Sequence, residues 1–116
     1  METPELEEKI LDMPKQIKTQ TLFVADLAIE VENLRLKVAE TKSAESQTVA
    51  DNPTLKNADM RKAALEKALK ENAEYVKDTS ELRIKEQTLN ANRVHLEYQH
   101  NTFSALKAVA GIRAAK

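Results

Sequence analysis

The 116-residue chain has no cysteine, no tryptophan, one glycine and three prolines, and only 3% of its residues are aromatic. Each shortage excludes something. Without cysteine there is no disulfide framework, thiolate metal site or cysteine nucleophile. A single glycine cannot build the Gly-rich loops that cradle phosphates. Scarce aromatic and turn residues argue against a β-sandwich or barrel. The longest apolar runs are a few residues, far below the ~20 that span a bilayer. The acidic start, Met1-Glu2-Thr3-Pro4-Glu5, lacks the basic start and apolar core of a secretory leader. These shortages set the expectation of a cytoplasmic protein with no membrane contact and no cofactor.

What is present points to helices. Hydrophobic residues make up 41% and charged residues 32%. Abundant Ala, Leu, Glu, Lys and Arg with almost no Gly reads as long helix or coiled coil. Net charge is −1, unevenly placed. Residues 1–52 hold 6 Lys+Arg against 11 Asp+Glu, and residues 53–116 hold 12 against 8. An acidic segment packing beside a basic one accounts for this, and so would a basic part that touches phosphates.

Thr3 and Pro4 suit a helix start. A seven-residue repeat follows. Its a positions are Ile10, Ile17, Val24, Val31 and Val38; its d positions are Leu6, Met13, Gln20, Leu27 and Leu34. β-Branched a with Leu or Met at d suits a two-stranded parallel coiled coil, and an antiparallel hairpin can use the same pattern. Pro14 should cost about 3 kcal/mol in a helix interior. The repeat crosses it in phase, which predicts a kink rather than a chain reversal. A second stripe, Leu22, Ile29 and Leu36, makes the helix apolar on two sides, so it needs more than one neighbour.

Residues 42–53 lose the periodicity and gather Ser, Thr, Asn and Pro, as a loop does. Asn52 and Asn57 are candidate caps for the next helix. From 54 to 110 there is neither Pro nor Gly. Asp78-Thr79-Ser80-Glu81 offers a capping box and a local break, with an unbroken helix as the alternative. Two stripes recur beyond it: Leu82, Leu89, Leu96 and Phe103, and Ile84, Ala91, Tyr98, Ala105 and Ile112. They are displaced by two residues, about 200° around a helix. Gly111 stands where a left-handed cap would end the helix.

The pattern therefore predicts an all-α fold, an elongated helical hairpin or coiled coil that is oligomeric. One domain covers 1–116: a helix over 4–41 kinked at Pro14, a loop over 42–53, a long helix over 54–110 and a tail over 111–116. One hairpin cannot bury stripes on opposite sides of both helices, so self-association is expected. The expected oligomer interface is Ile17, Val24, Leu27, Val31, Leu34, Val38, Leu82, Leu89, Leu96 and Phe103.

Chemistry is sparse. Glu97 and His100 have the Glu-x-x-His spacing of di-metal bundles, but two further inward carboxylates would be needed. His95 and His100 are five apart, off the spacing that sets two ligands on one face. Ser80 and Ser104 lack a His–Asp context. A non-enzyme with no metal site is expected. Nucleic acid is the sharper alternative: residues 83–116 carry six Lys+Arg against two Glu. Its candidate contacts are Lys56, Arg61, Arg83, Arg93, Lys107 and Arg113. Lys56 and Arg61 flank a helix N-terminus that could hold phosphate. Phe103, by contrast, belongs to the Leu stripe.

Two stretches carry a resemblance: Lys56-Asn57-Ala58-Asp59-Met60-Arg61-Lys62-Ala63, and Asn92-Arg93 with Phe103-Ser104-Ala105-Leu106-Lys107-Ala108. With the helix–loop–long-helix layout, they resemble a loose group of small helical proteins encoded by phages and prophages. The resemblance implies a structural or accessory role in phage or mobile-element DNA metabolism, near recombination functions. Members of that group often carry a C-terminal Trp or Arg-rich turns, which this chain lacks. The partners to expect are a second copy, another protein (an inhibitor or adaptor of a host factor) or single-stranded nucleic acid.

Overall fold

The computed structural model describes residues 2–115. Three helices account for nearly all of them: α1 Thr3–Ala50, α2 Ala58–Glu71 and α3 Ala73–Ala115, with no strand among the described residues. Among the described residues, no helix is long and apolar enough to cross a membrane.

α1 begins one residue before the expected start. It passes Pro14 without a break. Met13 and Ile17, on either side of the proline, are both buried, so the repeat stays in register across it. The helix also runs on through most of the segment expected as a loop. Ser and Thr weaken a helix only when their side chains compete for the backbone. Here Thr41 Oγ1 donates to Lys37 O at 3.1 Å and Thr48 Oγ1 to Ala44 O at 3.1 Å, back-bonds compatible with helix. The half-buried Thr41, Glu45 and Val49 continue the spacing of the apolar residues before them. The loop is thus shorter and later, residues 51–57.

That loop is closed by its asparagines. Asn52 Oδ1 accepts from Thr54 N at 3.0 Å and from Thr54 Oγ1 at 2.7 Å, a local turn rather than a cap. Asn57 is the cap of α2: its backbone is extended and its Oδ1 accepts from Met60 N at 2.9 Å.

The long helix expected over 54–110 is two helices, and the break falls at Asn72 rather than near Asp78. Asn72 has φ −80° and ψ 101°, outside the helical region. Its N–H closes α2 on Ala68 O at 3.0 Å, while its Oδ1 opens α3 by accepting from Tyr75 N at 3.0 Å. Its Nδ2 donates to Glu45 Oε1 of α1 at 3.1 Å. One side chain thus serves both helix ends and ties them to α1. Asn72→Ala will cost about 1 kcal/mol, the usual value of an N-cap. A thermal melt checks this, with Asn72→Ser retaining most of the stability. An unchanged midpoint for Ala would show that the cap carries no weight. At the far end, α3 continues through Gly111 to Ala115, and the glycine has no positive φ. The expected tail is therefore helical over its described residues.

The described residues divide into two compact units, residues 2–28 with 87–115 and residues 29–86. In the first, α1 and α3 run antiparallel: Gln20 pairs with Asn92, Met13 and Gln16 line a groove with His95 and Gln99, and Leu6 lines another with Ala110. Leu6, Met13, Ile17, Leu27 and Leu89 are its buried apolar residues. In the second unit the same antiparallel order joins Glu30 to Lys85, Lys37 to Asp78 and Glu45 to Asn72. Val31, 1% exposed, is its buried apolar centre.

Candidate interaction surfaces

The seven-residue seam is used inside the chain. Of the ten residues assigned to contacts between copies, Ile17, Leu27, Val31 and Leu89 are buried within the single chain. Val24, Leu34, Val38, Leu82, Leu96 and Phe103 are half-buried. The hairpin option left open by the repeat is therefore the one adopted, within each unit.

α3 meets α1 along two rows. One is the Leu82, Leu89, Leu96, Phe103 stripe. The other is polar and repeats every seven residues: Asp78, Lys85, Asn92 and Gln99. In the second unit, Asp78 is 3% exposed and its Oδ2 lies 3.3 Å from Lys37 Nζ, an ion-pair distance without a well-aligned hydrogen bond. Lys37 also reaches Glu74 Oε1 at 3.4 Å. The contact with Asp78 first, then that with Glu74, holds the Lys37 ammonium above its ordinary 10.5. Lys85 Nζ sits 2.8 Å from Glu30 Oε2, and this contact raises it likewise. Both pairs stabilise the folded chain fully below pH 10.5, and that contribution fades as pH rises through the raised folded values. Beside them Arg35 Nε donates to Glu86 Oε1 at 3.0 Å.

In the first unit, Gln20 Nε2 donates to Asn92 Oδ1 at 2.8 Å, and Asn92 Nδ2 to Thr88 O at 2.8 Å. A polar pair in a seam costs stability but selects one register and orientation. Gln99 Oε1 is buried without a hydrogen bond and lines a groove of about 370 Å³ with Met13, Gln16, His95 and Tyr98. The polar row was legible as Asp, Lys, Asn and Gln at seven-residue spacing, but amphipathic patterning alone reads such residues as solvent-facing.

The outer stripes stay open. Among the described residues, twelve large hydrophobic ones are exposed against six buried. In the first unit these include Leu22, Phe23, Val94, Tyr98 and Ile112, and in the second Ile29, Leu36, Val76 and Ile84. Scattered singly such residues need no explanation; here many of them recur in rows along α1 and α3.

No family model, curated protein or solved structure matches the chain.

The basic candidates are dispersed. Lys56 lies in the 51–57 loop, Arg61 on α2 and Arg83 on α3 of the second unit. Arg61 Nη1 donates back to Leu55 O at 3.4 Å, bracing the start of α2. In the first unit, Lys107 Nζ stacks 4.8 Å above the Phe103 ring, and Arg113 lines a groove with Thr3 and Glu7. Arg93 is exposed. Arg93, His100 and Lys107 are seven apart, so they share one face of α3, and all three are exposed. Among the described residues, no three His, Asp or Glu side chains gather as metal ligands would. Glu97 and His100 both face solvent.

Proposed function

We propose that this chain is a self-associating helical protein that works by helix–helix recognition. In this reading it is a structural or accessory factor, as the resemblance to phage-encoded helical proteins implies, and it acts by binding rather than by chemistry. One observation carries the reading. The seam is already satisfied inside the chain, yet aligned rows of large apolar side chains remain exposed on α1 and α3. Burying a Leu or Ile is worth about 1.5–3 kcal/mol, so several per copy are a substantial drive to associate.

Sedimentation velocity over a range of concentrations tests it. A mass that rises with concentration supports self-association. A constant monomer mass would reject it and turn the same rows toward a different protein, as an adaptor or inhibitor would use them.

A second reading is single-strand nucleic-acid binding, favoured by the Arg93, His100, Lys107 line. A dye-labelled oligonucleotide in the same experiment tests it: faster sedimentation at low salt, lost at moderate salt, is the expected signature of phosphate contacts. Arg93→Glu with Lys107→Glu should abolish the shift. Free sedimentation of the oligonucleotide with the wild-type protein at both salts would reject this reading.

A further inference from the structure

We propose that Asn72 is a two-state hinge: the chain interconverts between the bent form, with α2 and α3 broken apart, and a straight form in which one helix runs through residue 72. The proposal concerns the second unit and stands apart from the self-association reading.

The break has no covalent cause. Between 54 and 110 there is neither Pro nor Gly, and α2 consists almost wholly of strong helix formers, Ala, Leu, Lys, Glu, Arg and Met. The departure at Asn72 is essentially one torsion: φ −80° is near helical and ψ 101° is not. Backbone bonds of helical spacing survive on both sides, from Asn72 N–H to Ala68 O and from Val76 N–H to Asn72 O, each at 3.0 Å. Returning ψ to the helical range turns the open first turn of α3 onto the last carbonyls of α2. Extending an existing helix needs no new nucleus.

One side chain holds the bend. Asn72 Oδ1 accepts from Tyr75 N at 3.0 Å, an N-cap bond that needs the non-helical backbone. Asn72 Nδ2 donates to Glu45 Oε1 at 3.1 Å. The amide is planar, so Glu45 grips one end and thereby aims the other. The body of α2 adds little hold: it has no buried residue, and Ala64, Leu65, Ala68 and Leu69 are only half-buried. Both sides of the balance are therefore small, which is the condition for a switch.

The connection to α1 permits the swing. In the straight form Ala58 lies ~21 Å beyond Asn72 along the axis, while Ala50 lies ~7.5 Å beyond Glu45 in the same direction. With neighbouring axes about 10 Å apart the gap is ~17 Å, within the ~23 Å that the 51–57 loop spans when extended. Ala64 and Leu65 then pass the end of α1. The hinge thus sets how much apolar surface this unit shows.

The chain has no cysteine, so Lys62→Cys with Arg83→Cys gives two unique spin-label sites, both exposed. The straight form sets them about 32 Å apart, and the bent form brings them closer. Double electron–electron resonance on the full chain reads both distances, with circular dichroism confirming helicity. The shorter distance should dominate in the otherwise wild-type chain. Glu45→Ala should raise the ratio of long to short by about fivefold, and Asn72→Ala, which removes cap and tie together, by about tenfold or more. Ala73→Pro should abolish the long distance. Proline suits the first position of α3 and keeps residue 72 extended, but it cannot continue a helix from α2. A single short distance that neither alanine variant changes would overturn the hinge. So would a long distance that persists in Ala73→Pro.

Discussion

Val31→Asp will lower the thermal midpoint by roughly 15 °C, whereas Ile29→Asp, two residues away, will leave it within a few degrees. The two positions are chemically alike and differ in facing. Val31 is 1% exposed and Ile29 is 60% exposed. Aspartate at 31 forfeits the apolar burial of a valine and forces a carboxylate into the seam. A buried charge without a partner costs about 3–5 kcal/mol. The nearby cations do not relieve it: Lys37 is engaged by Asp78 and Glu74, and Lys85 by Glu30. At position 29 the new charge meets water. Melts by circular dichroism at low protein concentration read the difference. Equal midpoints for the two variants would mean that the seam does not run through Val31.

Ile29→Glu with Leu36→Glu will abolish concentration-dependent association while the helical signal stays at the wild-type level. Each substitution removes an apolar side chain more than half exposed in the single chain. Together they also place two more carboxylates beside Glu32 and Glu40. Loss of two such contacts should weaken association by about a hundredfold or more. Light scattering coupled to size exclusion reads the mass. A variant that associates as the wild type does would show that this face is not used. Leu22→Glu, on the same stripe but in the first unit, then asks whether the other unit carries the contact instead.

Much of the fold was legible because helices declare themselves by period. The repeat from Leu6 to Val38 correctly marked the inward face of α1, and the Leu82 to Phe103 stripe marked that of α3. The outer rows at Leu22, Ile29 and Leu36, and at Ile84, Tyr98 and Ile112, were equally visible as apolar residues two positions out of phase. Asn57 could be read as a cap because a short polar acceptor before a helical pattern does one thing best. Asn72 was missed, although it has the same chemistry and is followed by Glu74 in the first turn. It stands inside an uninterrupted helical pattern, where no local signal distinguishes a cap from a tolerated polar residue. What makes it a break is tertiary: its amide also reaches Glu45 on α1.

The sequence by itself determined that this protein is helical and which residues of each helix turn inward. Those follow from composition and from a period that local geometry imposes. Only the tertiary structure decided what lies opposite. A heptad seam of Ile, Val and Leu is equally satisfied by a second copy or by the chain's own later helix, since apolar contact is not directional. The choice within each unit is made by groups far apart in sequence: Gln20 with Asn92, Glu30 with Lys85, and Lys37 with Asp78. Hydrogen bonds and ion pairs need specific partners at specific distances, so a single register satisfies them. With the seam closed inside each unit, the outer rows at Leu22, Ile29 and Leu36 and at Ile84, Tyr98 and Ile112 are left exposed.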